Sequence, residues 1–126
     1  MKEKKILIVD DEESIRFLFK TALKKKGYVV FSAESGEKAL ELLDKECIQV
    51  MFLDLNLPGI NGIDLFKKII QKQPKTIAYA VTGYSCDYKS FECKTAGFSD
   101  YFSKPLSLET LYTAAENAFI KNIAFT

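Results

Sequence analysis

Apolar residues along this chain fall into two alternating rhythms, short continuous runs and stripes spaced three and four apart, the signatures of buried strands and of one-sided helices. Ile6-Leu7-Ile8-Val9 is the first run, and a stretch with Ile15, Leu18, Phe19, Ala22 and Leu23 on one helical face follows it. That helix is expected to stop at Gly27, after three lysines (24–26) that suit the negative end of a helix dipole. Tyr28 to Ala33 predicts a second strand, and Ser35 caps a second helix striped by Ala39, Leu40 and Leu43. Gln49 to Leu53 is a third strand; helix three runs from about Ile63 to Gln73, with Leu65, Phe66, Ile69 and Ile70 inward, and Pro74 ends it. Thr76 to Val81 is a fourth strand that breaks at Thr82-Gly83, before a weaker helix from about Ser85 to Thr95 with little apolar periodicity. Gly97 leads into a short fifth strand, Asp100 to Ser103, and then Lys104-Pro105. Ser107 caps a last helix with Leu108, Leu111, Tyr112, Ala115, Ala118 and Phe119 inward.

Five βα units with short connections predict an α/β fold: an all-parallel sheet covered by helices on both faces, with right-handed crossovers. If the strand order is 2-1-3-4-5, the chain switches direction between strands one and three, and the loop at Asp10-Asp11 comes beside Asp54.

The third run organises the rest. Val50-Met51-Phe52-Leu53 is continuously apolar, as in strands buried on both faces, and ends in the lone carboxylate of Asp54 before Pro58-Gly59 and Gly62 break the chain into a turn. Outside the carboxyl ends of the strands lies the ligand crevice of open α/β sheets, so Asp54 is placed for chemistry; taken alone it reads equally as a loop cap.

Composition acts by exclusion. The 126 residues are expected to form one domain spanning 1–126, without an output domain. With 48% hydrophobic and 28% charged residues the chain is neither disordered nor membrane-spanning. Ile6 to Val9 is too short for the core of a signal peptide, which predicts a cytoplasmic protein. Cys47, Cys86 and Cys93 lack metal-type spacing and read as buried or incidental thiols. A net charge of +1, both signs interspersed, gives no footprint for direct nucleic-acid binding. There is no histidine, so the chemistry must run on carboxylates, lysine and hydroxyls.

Asp10, Asp11 and Asp54 would then share one crevice, where each like-charge pair at about 5 Å and an effective dielectric near 20 costs about 3 kcal/mol. A hard divalent cation is the usual reason to keep such a cluster. Mg²⁺ suits two or three carboxylates plus a backbone carbonyl, which Asn56 is placed to offer. Capping of helix one by Asp10 or Asp11, with Glu12 and Glu13 in its first turn, explains those two residues equally well. Thr82 and Lys104, ending strands four and five, would reach the crevice rim from the side opposite Asp10.

Four motifs in order, each at a strand's end, carry a resemblance over nearly the whole chain: Val9-Asp10-Asp11-Glu12; Asp54 followed by Leu57-Pro58-Gly59-Ile60-Asn61-Gly62; Thr82-Gly83; and Tyr101-Phe102-Ser103-Lys104-Pro105. The chain resembles a response-regulator receiver domain of the CheY type, as used in two-component phosphorelays. That resemblance implies a flavodoxin-like doubly wound sheet and Asp54 as phosphoacceptor for a sensor histidine kinase or phosphotransfer protein. Asp10, Asp11, Asp54 and the Asn56 carbonyl would hold Mg²⁺, and Lys104 and Thr82 would contact the phosphoryl oxygens. The only catalysis implied is of the domain's own phosphorylation and dephosphorylation. Tyr101 would be the aromatic switch at the sheet edge, with Phe102 buried, and would turn inward when phosphate draws the Thr82 hydroxyl. A downstream partner or a second copy would read the state on the helix 4/strand 5/helix 5 face, with neither nucleic acid nor membrane bound directly. The chain departs from the family at Asn61, where Asp is more usual, and carries a bulky Tyr84. A haloacid-dehalogenase-type phosphohydrolase also forms an aspartyl phosphate, but it needs a second Asp where Asn56 stands and an inserted cap. A phosphate-independent interaction module would not need Asp10, Asp11, Asp54, Thr82 and Lys104 together.

Overall fold

Alternation along the strands sorts the interior of the molecule into two cores, one on each face of a parallel sheet. The computed structural model describes residues 3–83 and 87–124, with the backbone alone of 87–91 and 122–124. In chain order the elements are β1 (Lys5–Val9), α1 (Glu13–Lys25), β2 (Val29–Ala33), α2 (Gly36–Leu43), β3 (Val50–Asp54), α3 (Gly62–Lys72), β4 (Ile77–Thr82), α4 (Asp87–Ala96), β5 (Asp100–Ser103) and α5 (Leu108–Ala124). The sheet runs β2-β1-β3-β4-β5 with every pairing parallel, which is the doubly wound order expected. Tyr84, Ser85 and Cys86 lie outside the described residues.

Successive strand residues point to opposite faces. Ile6, Ile8, Val50, Phe52, Tyr79 and Val81 therefore meet Phe19 and Leu23 of α1 and Leu111, Ala115 and Phe119 of α5. Leu7, Val9, Met51, Leu53, Ala78 and Ala80 meet Ala39 and Leu43 of α2, Leu65, Phe66 and Ile69 of α3, and Cys93 of α4. All five residues of β3 are buried, as its unbroken apolar run predicted. Cys47 is exposed and Cys93 is buried.

Two stripe residues are not where the pattern put them. Leu18 is 45% exposed. At 100° per residue it lies roughly 85° from the mean direction of Ile15, Phe19, Ala22 and Leu23, at the margin of the stripe. Leu108 is 37% exposed because it opens α5 at the carboxyl edge of the sheet, where the strands have ended. Tyr101 and Phe102 also differ from the expected division into one edge and one buried residue. Both are half-buried, Tyr101 packing against the α2/α3/α4 core and Phe102 against the α1/α5 core. β5 is the outermost strand, so neither of its faces is fully covered.

Candidate functional site

Strand register brings the chemistry together. Val9 of β1 pairs with Leu53 of β3, Asp54 with Val81 of β4, and Thr82 with Ser103 of β5, so four strands end at one level. Beyond β1, the Asp10 N–H continues the ladder by donating to the Ala33 carbonyl at 3.1 Å. The Asp10 side chain turns back to accept the Glu12 N–H at Oδ1 (2.9 Å), and Arg16 donates to the Asp10 carbonyl at 2.7 Å. Neither Asp10 nor Asp11 caps α1: the N-cap is Glu12, with no side-chain cap bond. Helix capping therefore does not account for the acidic pair.

Beyond β3, the Asn56 N–H donates to Asp54 Oδ1 at 2.9 Å. The loop is closed by Gly62 N–H to Leu55 O (3.2 Å) and turned by Gly59 at φ +75°, a conformation that glycine adopts without steric cost. Gly62 is packed so closely that a Cβ there would lie 2.4 Å from the Asp54 carbonyl oxygen and 2.9 Å from Leu55 Cα. Asn61, the departure noted above, caps α3 by accepting the Asp64 N–H at 2.9 Å.

Asp10 and Asp54 are each only 3% exposed, whereas Asp11 is open to solvent. The three residues each present a carboxylate oxygen, all within 4.8 Å of one another. Lys104 compensates this charge. Its N–H donates to the Thr82 carbonyl at 2.7 Å, which fixes where the side chain starts. Its ammonium lies 2.9 Å from Asp54 Oδ2, 3.1 Å from Asp10 Oδ2 and 3.8 Å from Glu12 Oε1. Although it leaves β5 on the side opposite Asp10, the side chain spans the crevice. Burial acts to lower the Lys104 pKa, but the hydrogen bonds its ammonium donates to Asp54 and Asp10, with the charge of both carboxylates, outweigh it and the net direction is up. Burial pushes the Asp10 carboxyl above the ordinary range, with the Glu12 N–H and Lys104 offsetting only part of the effect.

Thr82 is fully buried, and its Oγ1 accepts from Asn56 Nδ2 at 2.7 Å. Sequence reasoning had named Asn56 for its carbonyl and as a flank of the phosphoryl site, but not for this side-chain bond to Thr82. Arg16 was likewise missed as a site neighbour; it reaches the Asp10 carbonyl from the first turn of α1. Tyr101 lies on β5 and packs against the α2/α3/α4 core.

Sheet order, crevice position and acidic triad define a doubly wound domain with an acidic, lysine-compensated site. The response regulator receiver domain family matches residues 6–116, and the chain belongs to that family, whose members serve two-component signalling. It is 34% identical over 118 residues to sporulation initiation phosphotransferase F of Bacillus subtilis, covering 92% of this chain and 94% of that protein. It is 39% identical over 106 residues to a cyclic di-GMP phosphodiesterase of Thermotoga maritima, covering 84% of this chain but only 28% of that protein. A crystal structure of a CheY-like response regulator receiver domain protein from Methanospirillum hungatei superimposes with a TM-score of 0.94 at 27% identity, over 99% of this chain and 100% of that one. Among the described residues, no helix is long and apolar enough to cross a membrane.

Proposed function

We propose that this receiver domain is a phosphorylation-controlled switch of the cytoplasm that takes a phosphoryl group from the phosphohistidine of a sensor histidine kinase or phosphotransfer protein onto Asp54. The observation that carries the reading is the meeting of Asp10, Asp11 and Asp54 within 4.8 Å, with the Lys104 ammonium 2.9 Å from Asp54. An Asp54 carboxylate oxygen attacks phosphorus; the O–P bond forms as the P–N bond breaks, and the electron pair leaves with the donor imidazole. Lys104 holds positive charge beside the acceptor, and the Thr82 hydroxyl serves a phosphoryl oxygen.

The donor set is all hard oxygen, two of its carboxylates are buried and one is open to solvent, which fits Mg²⁺ retaining several waters. Asp10, Asp11, Asp54 and the Asn56 carbonyl would hold the ion, which when bound supplies charge neutralisation and orientation to the transferred group. The domain's catalysis is then confined to its own phosphorylation and dephosphorylation. Its output is a change in affinity for a protein partner or a second copy at the α4/β5/α5 face, with Tyr101 as the aromatic that responds.

The test is intact-mass measurement after incubation with a small acyl phosphate and Mg²⁺. One phosphoryl adduct is expected, lost in Asp54→Asn and when the metal is chelated. An adduct that persists in Asp54→Asn sinks the assignment.

A further inference from the structure

The loop between β3 and α3, which carries the Asn56 carbonyl, is tied at both ends by its own backbone and in the middle by a different element. The Leu55 N–H donates to the Val81 carbonyl at 3.1 Å and the Gly62 N–H to the Leu55 carbonyl at 3.2 Å, which fixes the loop where it leaves β3 and where it enters α3. Between these points Pro58 has no N–H to give, and Gly59 and Ile60 meet the first turn of α2. The Glu37 carboxylate accepts the Ile60 N–H at Oε2 (3.2 Å), from 23 positions away in sequence. Gly59 lies against the same carboxylate: a Cβ there would sit 2.9 Å from Oε2 and 3.2 Å from Oε1. The neighbouring Gly36 is buried, and a Cβ on it would run into Ile60 Cγ2. α2 is itself held in place, by the Ser35 cap on the Lys38 N–H and by Ala39 and Leu43 in the core, so Glu37 projects from a fixed element.

We propose that Glu37 is a positioning residue for the metal site, seating the Gly59-Ile60 backbone so that the Asn56 carbonyl keeps one orientation. The inference rests on the reading that Asp54 is the acceptor and that Asp10, Asp11, Asp54 and the Asn56 carbonyl hold Mg²⁺, and it adds to them a residue from outside the crevice. Only Leu57, Pro58 and Gly59 separate Asn56 from Ile60, so drift in the middle of the loop turns the peptide plane between Asn56 and Leu57. Mg²⁺ demands near-ideal octahedral geometry at about 2.0 to 2.1 Å and tolerates such drift poorly. Glu37 thus acts through the backbone of the loop. Linkage makes the effect reciprocal: bound Mg²⁺ strengthens the Ile60–Glu37 bond by the same factor by which that bond favours Mg²⁺.

Mg²⁺ titration followed by NMR in wild type, Glu37→Ala and Glu37→Gln tests this. Glu37 is exposed, so neither substitution opens a cavity, and alanine suits a helix's first turn. Glu37→Ala is expected to bind Mg²⁺ roughly three- to fivefold more weakly than wild type, within the range of one net hydrogen bond. Glu37→Gln keeps an acceptor oxygen and loses the charge, so it should stay within about twofold of wild type. Unchanged Mg²⁺ affinity in Glu37→Ala overturns the proposal; so does an equal loss in both variants, which would make Glu37 only a distant negative charge. Hydrogen exchange at the Ile60 amide gives an independent reading. In wild type, saturating Mg²⁺ should slow it by more than it slows the Gln73 amide at the far end of α3, and in Glu37→Ala that excess should vanish. An Ile60 amide that responds to Mg²⁺ no more than Gln73 refutes the coupling. Failure of the underlying reading looks different: Mg²⁺ would bind wild type and Asp11→Ala alike, and the inference would fall with it.

Discussion

Replacing Lys104 by Met keeps the aliphatic stem and removes the ammonium that lies between Asp54 and Asp10. Its ammonium makes contacts of 2.9 and 3.1 Å to carboxylates whose side chains are 3% and 5% exposed. At an effective dielectric near 20 each contact is worth about 5 kcal/mol of gross Coulomb attraction. Most of that is offset by desolvation, and removing one partner of a buried ion pair costs about 3 to 5 kcal/mol net. The Lys104 side chain is 21% exposed, which puts this pair at the weak end of that range. Asp10 also already leans toward its neutral form through burial. We therefore expect Lys104→Met to lose about 2 to 3 kcal/mol in chelator, or roughly 10 °C in Tm for a chain of this size. A divalent cation held by the same carboxylates would replace the missing charge. Saturating Mg²⁺ should accordingly recover most of the loss, and the variant should bind Mg²⁺ more tightly than wild type, having no ammonium to displace. Thermal unfolding across a Mg²⁺ series, for both proteins, measures both quantities. An equal Tm deficit with and without Mg²⁺, or weaker Mg²⁺ binding in the variant, would refute the idea that Lys104 and the metal compensate the same charges.

Asp10→Asn, in chelator near neutral pH, should be at least as stable as wild type and should respond little to Mg²⁺. Because the folded-state pKa of Asp10 is raised by burial, its charge opposes folding above that pKa, and the penalty disappears as pH falls toward the ordinary carboxylate value. Wild type should show that gain on acidification and Asp10→Asn should lack it, by urea unfolding at several pH values. Gly62→Ala should cost about 2 to 3 kcal/mol, because its Cβ would press on the Asp54 carbonyl and Leu55 Cα, backbone atoms that cannot rotate away; a neutral result in denaturant melts would contradict the packing. Tyr79→Phe removes the hydroxyl that donates to the Ala114 carbonyl of α5 at 2.9 Å and should cost about 1 kcal/mol at neutral pH. The Tyr79 pKa is pushed up to about 12, chiefly by burial and secondarily by Asp100. Wild-type stability should therefore fall as pH rises from the unfolded tyrosine value toward 12, narrowing its lead over Tyr79→Phe. A gap that stays constant through that window would count against a buried, protonated hydroxyl.

Four strands were legible as apolar runs, the fifth as a short stretch after Gly97, and four of the five helices as clear stripes, because side-chain direction along a regular element follows from its own repeat. Asp10, Asp11, Asp54, Thr82 and Lys104 were legible as a group for a related reason. Each stands at or just past the end of a strand, and parallel pairing in register brings those ends to one edge. The margins of the stripes were harder to read. Leu18 fits a helical face by spacing, and only the way α1 sits on the sheet left it 45% exposed. Tyr101 and Phe102 were correctly set on opposite faces by the twofold repeat, yet their shared half-burial depends on β5 being the outermost strand with incomplete cover on both sides. Tertiary structure alone decided the contacts between side chains from different loops: the Lys104 ammonium spanning the crevice to Asp10, and the Asn56 amide seated on the Thr82 hydroxyl. A sequence repeat specifies which face of an element a residue occupies, but not how far a long side chain reaches or how a loop is folded. Those depend on packing and hydrogen bonds among segments that meet only once the sheet has formed.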